Sequence, residues 1–233
     1  MAMPKSEIDA RYFERTEQRP IARKRAGSST TYLFFKRALD LFGAVVGLVL
    51  SSPLFLIISL LYLAGNNKGP VFFKQKRTGQ YGETFYIYKF RSMVVNAEKQ
   101  LKSNKLLYKK YLDNSYKLEP EEDPRITKIG CFLRKTSLDE LPQFINVLKG
   151  EMSLVGPRPV VAEELREYGD KKDLFLSAKP GLTGYWQVCG RSDIEYPERC
   201  NVELYYVKHK SFFFDLKIII KTFVSVIMKK GAY

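Results

Sequence analysis

The chain has few of the residues that proteins most often use for metal sites, disulfides or histidine-based catalysis. Its 233 residues include one histidine and three cysteines. Cys131, Cys189 and Cys200 have no C-x-x-C spacing, which argues against a zinc site or a disulfide framework and predicts reduced thiols buried as small hydrophobic groups. His209 lies in a basic segment with the composition of an exposed surface. Histidine-based triads and histidine metal sites are therefore disfavoured.

The chain also has fewer acidic than basic residues. Asp and Glu number 25 against 39 Lys and Arg, which gives a net charge of +14. Such a surplus indicates an anionic partner, namely nucleic acid, phospholipid headgroups or a phosphorylated substrate. No helix-turn-helix, RNP or zinc pattern accompanies the charge, and a nucleic-acid-binding protein would leave the apolar segment 41–65 unexplained. The expected partners are an anionic phospholipid membrane and a phosphorylated substrate, with no nucleic acid.

The N-terminal residues 1–31 lack an apolar run after the first methionine, so no signal peptide is predicted. The segment is polar and basic, with Arg23, Lys24 and Arg25 close together. We interpret it as a flexible tail that is attracted to anionic lipid.

The segment 41–65 lacks any charged residue. As a helix rising about 1.5 Å per residue, it is long enough to cross a hydrocarbon core of roughly 30 Å. Pro53 lies at its middle, where it removes a backbone hydrogen bond and bends the helix. The hydroxyls of Ser51 and Ser52 can satisfy the carbonyl groups that the bend frees. The pattern predicts a break at Ser52 and Pro53.

Basic residues flank this segment on both sides: Lys36 and Arg37 before it, Lys68, Lys74, Lys76 and Arg77 after it. Positive charge stays on the cytoplasmic face of a membrane. We therefore predict a re-entrant membrane helix over residues 32–66, which enters the bilayer and returns to the same face. A kinked span and a buried core helix are the alternatives.

The remaining chain, residues 67–233, is predicted to form a cytosolic domain with interfacial helices. Two β-rich runs around Gly79 and Gly82 predict a hairpin between residues 71 and 93. Residues 96–116 predict an amphipathic helix that lies on the core or on lipid. Residues 212–228 are apolar with one polar stripe, which fits an interfacial helix or a core helix equally well.

The most informative residues are the adjacent carboxylates of Asp139 and Glu140. Pro142 follows them and can open a helix, whose apolar spacing runs to Gly150, a natural C-terminal stop. At a turn into a helix, both carboxylates can face one site. The alternative is a capping box with Ser137 as N-cap, which would place Pro142 inside the helix, where proline is unfavourable.

Three further segments have unusual local chemistry. Asp123-Pro124-Arg125 leads towards Arg134, and Arg158 stands between Pro157 and Pro159. A proline-flanked arginine is presented on stiff, extended backbone, which suits bidentate contact with phosphate. The glycine-rich segment 180–192 can bring its backbone close to a nucleotide.

Taken in order, these blocks resemble the bacterial sugar transferase family, the monotopic phosphoglycosyl transferases that start glycan assembly on a polyprenol phosphate. The likeness covers about residues 32–228 and rests on Lys36-Arg37-x-x-Asp40, Ser52-Pro53, 88–93, 123–143, 153–159, 180–191 and 215–218. The resemblance implies a mostly helical, membrane-associated α+β fold with a small β-hairpin, a re-entrant helix and interfacial amphipathic helices. It also implies a monotopic protein on the cytosolic face of the bacterial inner membrane.

The resemblance further implies that a UDP-sugar gives its sugar-1-phosphate to polyprenol phosphate in a ping-pong reaction that releases UMP. Asp139 would be the nucleophile and Glu140 would hold Mg²⁺. The other implied roles are phosphate binding by Lys89, Arg134 and Arg158, nucleotide-sugar binding by Thr183, Gly184, Gln187 and Arg191, the membrane break at Ser52 and Pro53, and interfacial anchoring by Lys36, Arg37 and Asp40. The segment around Gly190 looks more like the hexose branch of the family than the acetamidosugar branch. A second copy of the chain, in a homodimer, is a further candidate partner, and the sequence does not determine the oligomeric state.

Two other interpretations compete with this one. A catalytically silent membrane scaffold could keep the same fold, but it would have no use for Asp139, Glu140 and Arg158. A metal-dependent glycosyltransferase that moves sugar alone would need an Asp-x-Asp pair, which the sequence lacks.

Overall fold

The computed structural model describes residues 29–63, 68–114, 118, 122–190 and 194–228. The helices are α1 (Thr30–Leu61), α2 (Ala97–Ser103), α3 (Lys105–Asp113), α4 (Lys128–Lys135), α5 (Gln143–Lys149), α6 (Lys172–Leu176), α7 (Tyr185–Cys189), α8 (Glu198–His209) and α9 (Phe212–Ile227). The strands are β1 (Phe72–Thr78), β2 (Thr84–Phe90), β3 (Ser153–Val155) and β4 (Gly181–Thr183). Nearly all of the predicted tail 1–31 and residues 64–66 of the predicted membrane helix lie outside the described residues.

Helix α1 is long and apolar enough to cross a membrane by length and composition, with a mean hydropathy of 2.5 over its most apolar window. Only 17% of that window is buried, so the interpretation as a buried core helix is wrong. The buried residues Asp40, Ala44, Ser51 and Ile58 form one stripe. Helix α1 packs along α5 and β3, and Ile58 of the stripe packs in a cluster with Phe90 and Leu133. Most of the large apolar side chains on the other faces of α1 are exposed.

Pro53 lies inside α1, which continues as a helix on both sides of it. The missing N–H of Pro53 would have bonded the carbonyl of Val49. Ser52 Oγ donates to that carbonyl at 2.8 Å, and Ser51 Oγ donates to the carbonyl of Gly47 at 2.6 Å. The predicted compensation by serine hydroxyls is therefore present. The turn back to the same membrane face stays a prediction.

The predicted hairpin is confirmed: β1 and β2 pair antiparallel from Phe72↔Phe90 to Thr78↔Thr84. The fully buried Asn146 of α5 extends this sheet with its side chain. Its Nδ2 donates to the carbonyl of Tyr86 at 2.7 Å, and its Oδ1 accepts from the backbone N–H of Tyr88 at 3.0 Å. The amide thus takes the place of a third strand and fixes α5 against β2.

Helix α5 has the predicted ends. Pro142 precedes its first residue, and Gly150 closes it in the left-handed conformation at φ 80°. The alternative capping box is wrong, because Ser137 has φ 56° and its side chain makes no cap hydrogen bond. Asp139 and Glu140 instead form a separate 3-10 turn, Leu138–Glu140.

A second, parallel sheet pairs β3 with β4. It brings the Arg158 segment beside the glycine-rich loop, since Gly156 N–H donates to Thr183 at 2.9 Å and Gly181 N–H donates to Pro157 at 2.8 Å. A Cβ on Gly184 would lie 2.2 Å from the carbonyl oxygen of Gly156. That glycine is therefore required by close approach of two protein backbones.

The fold class is α+β, mostly helical with two small sheets, as predicted. The predicted helix over 96–116 is broken at Asn104, whose extended backbone and side-chain bond to Leu107 N–H start α3. Helix α9 has both expected characters: Asp215 and Ile218 are buried, and Phe213 and Phe223 are exposed. The prediction of buried thiols holds for Cys200 alone among the free cysteines: Cys131 is half-buried and Cys189 is exposed.

Candidate active site

The turn between α4 and α5 presents both carboxylates to one lysine. Lys89, near the end of β2, places its Nζ 2.7 Å from Glu140 Oε1 and 3.9 Å from Asp139 Oδ2. Asp139 is buried, with 7% of its surface exposed, and Glu140 is half-buried. The prediction that the adjacent carboxylates face one site agrees with this geometry.

The electrostatics of Asp139 are set by burial and three cations. Burial raises the pKa of Asp139, and the Lys89 ammonium is the main group that opposes the rise. The carboxylate of Glu140 adds to the rise, while Arg134 and Arg158 lower the pKa. All three predicted phosphate-binding cations thus act on the same buried carboxylate, although they come from distant parts of the sequence.

Apolar residues on both sides of the pair attach the turn to the protein. Leu138 and Leu141 pack against a cluster that contains Phe90, Leu133 and Ile58 of α1. The carboxylates therefore sit on a support that the C-terminal half of the apolar helix helps to build.

Arg134 is positioned by a residue that sequence reasoning passed over. Its Nε donates to the Oγ of buried Ser92 at 2.9 Å. Helix α4 also packs so closely there that a Cβ on Gly130 would lie 1.8 Å from the Ser92 carbonyl oxygen. Ser92 belongs to the segment 88–93 that carries the family resemblance, and this was the available signal.

Arg158 is half-buried between two buried prolines, and its backbone N–H donates to Glu203 Oε1 at 3.3 Å. Its guanidinium lies 5.9 Å from the ring centre of Trp186. Glu203 and Trp186 are the second omission of the sequence reasoning. No local pattern indicates that Glu203, on α8, faces this segment.

Thr183 and Gly184, which are predicted to bind the nucleotide sugar, lie against Gly156 in the segment before Arg158. Thr183 Oγ1 is 2.7 Å from Thr222 Oγ1 of α9, and Gln187 Nε2 donates to the carbonyl of Leu182 at 3.3 Å. The Oε1 of Gln187 is buried and, among the described residues, has no hydrogen-bond partner. Arg191 lies outside the described residues. Donor binding by this group stays a prediction.

The three anchor residues of α1 bind groups of the protein. Lys36 Nζ is 2.7 Å from the fully buried Asp215, and Arg37 donates at 2.8 Å to the last carbonyls of α5, those of Val147 and Leu148. Asp40 accepts from Ser153 Oγ at 2.9 Å and from Leu154 N–H at 2.8 Å. They fasten α1 to the rest of the fold, and contact with lipid headgroups stays a prediction.

The sequence was compared with known families and curated proteins. The profile of the family described as "Bacterial sugar transferase" matches residues 31–229. The chain belongs to this family. The match covers the elements described above, apart from the first residue of α1, and includes each residue of the carboxylate and cation cluster. The resemblance carried by the motif blocks is confirmed.

Individual relatives have consistent names. An "Undecaprenyl-phosphate galactose phosphotransferase" of Salmonella typhimurium is 45% identical over 86% of this chain and 42% of its own length. The "Exopolysaccharide production protein ExoY" of Sinorhizobium fredii is 42% identical over 85% of this chain and 88% of its own length. A "UDP-glucose:undecaprenyl-phosphate glucose-1-phosphate transferase" of Escherichia coli is 38% identical over 85% of this chain. The chain thus spans less than half of the Salmonella and E. coli proteins, at 42% and 41% of their lengths.

Proposed function

We propose that the chain transfers a hexose-1-phosphate from a UDP-hexose to polyprenol phosphate, releases UMP, and so initiates assembly of a surface glycan. The observation that carries this proposal is the buried Asp139 carboxylate in contact range of Lys89 and in the field of Arg134 and Arg158. An anionic nucleophile surrounded by cations suits attack on a diphosphate. The names of the relatives, which include galactose and glucose transferases acting with undecaprenyl phosphate, support the same reaction class.

The reaction balances as two displacements at one phosphorus. An Asp139 carboxylate oxygen forms a bond to the sugar-bearing phosphorus, and the bond from that phosphorus to the bridging oxygen breaks, so that UMP leaves. A phosphate oxygen of the polyprenol phosphate then attacks the aspartyl-phosphosugar and releases the Asp139 carboxylate. Neither step requires a general base, because both nucleophiles are anions at neutral pH. This agrees with a site built without histidine.

The cations bind the diphosphate and stabilise the charge that develops in each displacement. Lys89 contacts both carboxylates, and Ser92 holds Arg134 by the Nε hydrogen bond. Arg158 presents a planar guanidinium, which can contact two phosphate oxygens at once.

The carboxylate of Glu140 fits the proposed Mg²⁺. Among the described residues no group of three His, Cys, Asp or Glu side chains could hold a metal ion. Mg²⁺ commonly binds one or two carboxylates and completes its shell with substrate phosphates and water, so adjacent carboxylates beside a diphosphate site are an adequate donor set. When bound, the ion would neutralise charge on the diphosphate. Glu140 is the residue that we expect to hold it.

The pH dependence of the reaction tests the role of Lys89. Burial raises the pKa of Asp139 and Lys89 opposes the rise. Only the ionised carboxylate is a nucleophile, so activity falls as the pH drops through the pKa of Asp139. Lys89→Met removes the main opposing charge and is expected to move the acidic limb of the kcat/KM profile to higher pH.

The measurement is UMP release from about pH 4 to about pH 9. The control is Lys76→Met, which removes the same positive charge from an exposed position on β1. The control is expected to keep the wild-type limb. An acidic limb at the same pH in Lys89→Met and Lys76→Met would contradict the proposed coupling of Lys89 to Asp139.

The membrane arrangement is part of the proposal. Both halves of α1 contact the domain, through Ala44 in one cluster and Ile58 in another, while Phe42 and Leu50 are exposed. An apolar helix that stays beside a cytosolic domain over its length supports a monotopic protein on the cytosolic face of the inner membrane. Nucleotide sugars are available on that face.

Topology is tested with single cysteines in a cysteine-free background. Cysteine at Ser6, which lies outside the described residues, and cysteine at the exposed Ser103 of α2 are both expected to resist an impermeant thiol reagent in intact cells and to react after lysis. Both positions are then cytosolic. Labelling at Ser6 alone in intact cells would show that α1 crosses the membrane and would contradict the monotopic arrangement.

The function itself is tested by incubating membranes that contain the chain with polyprenol phosphate and a panel of UDP-sugars, and by measuring UMP. Release with UDP-galactose or UDP-glucose, and little with UDP-acetamidosugars, is the expected result. Absence of UMP release with every sugar would favour the catalytically silent scaffold.

A further inference from the structure

Arg199, Glu203 and Tyr168 form a buried cluster of charged and polar side chains next to Arg158. The proposed chemistry does not use this cluster. Arg199 and Glu203 are one helical turn apart on α8, with 4% and 1% of their surfaces exposed. Arg199 Nε is 3.5 Å from Glu203 Oε1. The hydroxyl of buried Tyr168 donates to Glu203 Oε2. A fully buried carboxylate is costly to keep, so the contact that it makes with Arg158 requires an explanation.

Glu203 accepts a hydrogen bond from the only backbone N–H of the segment Pro157-Arg158-Pro159. The two prolines have no N–H and fix their own φ angles. The N–H of Arg158 is therefore the only backbone donor by which the segment can be held. That N–H donates to Glu203 Oε1 at 3.3 Å. The carboxylate therefore fixes the backbone from which the Arg158 guanidinium extends.

The side chain of Arg158 meets the same cluster through Trp186. The guanidinium of Arg199 lies 4.3 Å from the Trp186 ring and 4.8 Å from the Tyr196 ring, and that of Arg158 lies 5.9 Å from the Trp186 ring. Arg199 Nη1 is also 3.5 Å from Glu164 Oε2. Arg199 is thus held by two rings and two carboxylates, and it supports the indole against which Arg158 lies.

We propose that Glu203 is a positioning residue for phosphoryl transfer: it fixes the Arg158 backbone, and with Arg199 and Trp186 it directs the Arg158 guanidinium towards Asp139. The inference rests on the proposed function. The charges of Lys89, Arg134 and Arg158 remain when Glu203 is changed, so ground-state binding of the diphosphate persists. Stabilisation of the transition state depends on geometry, and a misplacement of about 1 Å can cost roughly 10²-fold in rate.

The experiment compares Glu203→Leu with a matched control, Asp215→Leu. Asp215 is also a fully buried carboxylate with tyrosine and cation partners: Tyr206 and Lys36 at 2.7 Å each, and Tyr32 at 3.0 Å. None of these described partners is Arg158. Each substitution removes a buried ion pair, so each is expected to lower the midpoint temperature of thermal unfolding. We expect kcat of the folded Glu203→Leu protein to fall by about 30- to 100-fold with KM for the UDP-sugar changed less than about threefold. Asp215→Leu is expected to keep kcat within about twofold.

Two conservative variants cover the case in which Glu203→Leu does not fold. Glu203→Gln keeps an oxygen that accepts from the Arg158 N–H, so it is expected to retain at least about a third of kcat. Tyr168→Phe removes the hydroxyl that holds Glu203 and is expected to lower kcat by about three- to tenfold. Because Trp186 is the only tryptophan of the chain, its emission also reports whether the Arg158 surroundings have changed.

The outcomes separate the two proposals. A wild-type chain that releases no UMP overturns the proposed function and the positioning role together. With an active wild type, either of two results overturns the positioning role alone. In the first, Glu203→Leu and Asp215→Leu lose kcat equally; in the second, Tyr168→Phe keeps full kcat with unchanged Trp186 emission.

Discussion

Changing Asp139 to Asn is expected to abolish turnover, with a loss of about 10³-fold or more in kcat. The side chain keeps its size, but the amide is a poor nucleophile and cannot form the aspartyl-phosphosugar. Lys89, Arg134 and Arg158 are unchanged, so binding of the UDP-sugar is expected to persist. The measurement is UMP release by a variant that is shown to remain folded and membrane-bound.

The same experiment includes a direct trap. Wild-type protein given labelled UDP-sugar without polyprenol phosphate is expected to accumulate a sugar-phosphate on Asp139, which a peptide mass spectrum detects. Asp139→Asn is expected to carry none. Sequential kinetics together with an absence of adduct on the wild-type protein would rule out the covalent route.

Local sequence predicted those elements whose ends are set by single residues. Gly79 and Gly82 marked the hairpin turn, and Pro142 and Gly150 marked the ends of α5. Gly82 and Gly150 adopt positive φ, which glycine tolerates best, and the ring of Pro142 fixes its own φ near the helical value. The break at Asn104 had a comparable signal, since asparagine is a favoured N-cap, but the helical composition on both sides of it concealed the break.

Contacts between distant segments were not predictable, because no local pattern reports them. Lys36 pairs with Asp215 across 179 residues of sequence, and Asn146 completes the edge of β2 across 60. The anchor residues of α1 illustrate the consequence. Their charge suggested lipid headgroups, whereas in the fold each of them binds the protein itself.

The candidate site likewise contains residues that the sequence identified and residues that it did not. Asp139, Glu140, Lys89, Arg134 and Arg158 were identified because their residue types and motif blocks indicate the chemistry. The residues that hold them, such as Ser92 and Glu203, act by position alone. Ser92 lies in the motif segment 88–93, but its partner Arg134 is known only from the contact, and no local pattern marks Glu203 on its helix.

Changing Arg158 to Lys is expected to remove most activity although the charge is kept. Arginine presents several N–H donors in a rigid plane and can contact two phosphate oxygens, while lysine offers a compact point charge on a flexible stem. The lost contact is one that strengthens as charge develops on the transferring phosphoryl group. Removal of a single such donor commonly costs about 10²-fold in kcat, and we expect a loss of that size.

The matched control is Arg166→Lys, which makes the same substitution at an exposed arginine outside the site and is expected to leave kcat/KM unchanged. The indole also distinguishes the two arginines, because the Arg158 guanidinium lies 5.9 Å from the Trp186 ring and a lysine cannot stack there as a plane. Near wild-type kcat/KM in Arg158→Lys would contradict bidentate binding and would mean that the site needs only positive charge at this position. Two results together would show that the orientation of this guanidinium, and not its charge alone, limits the transfer step. Arg158→Lys would lose activity while Arg166→Lys keeps it, and Glu203→Leu would lose activity as well.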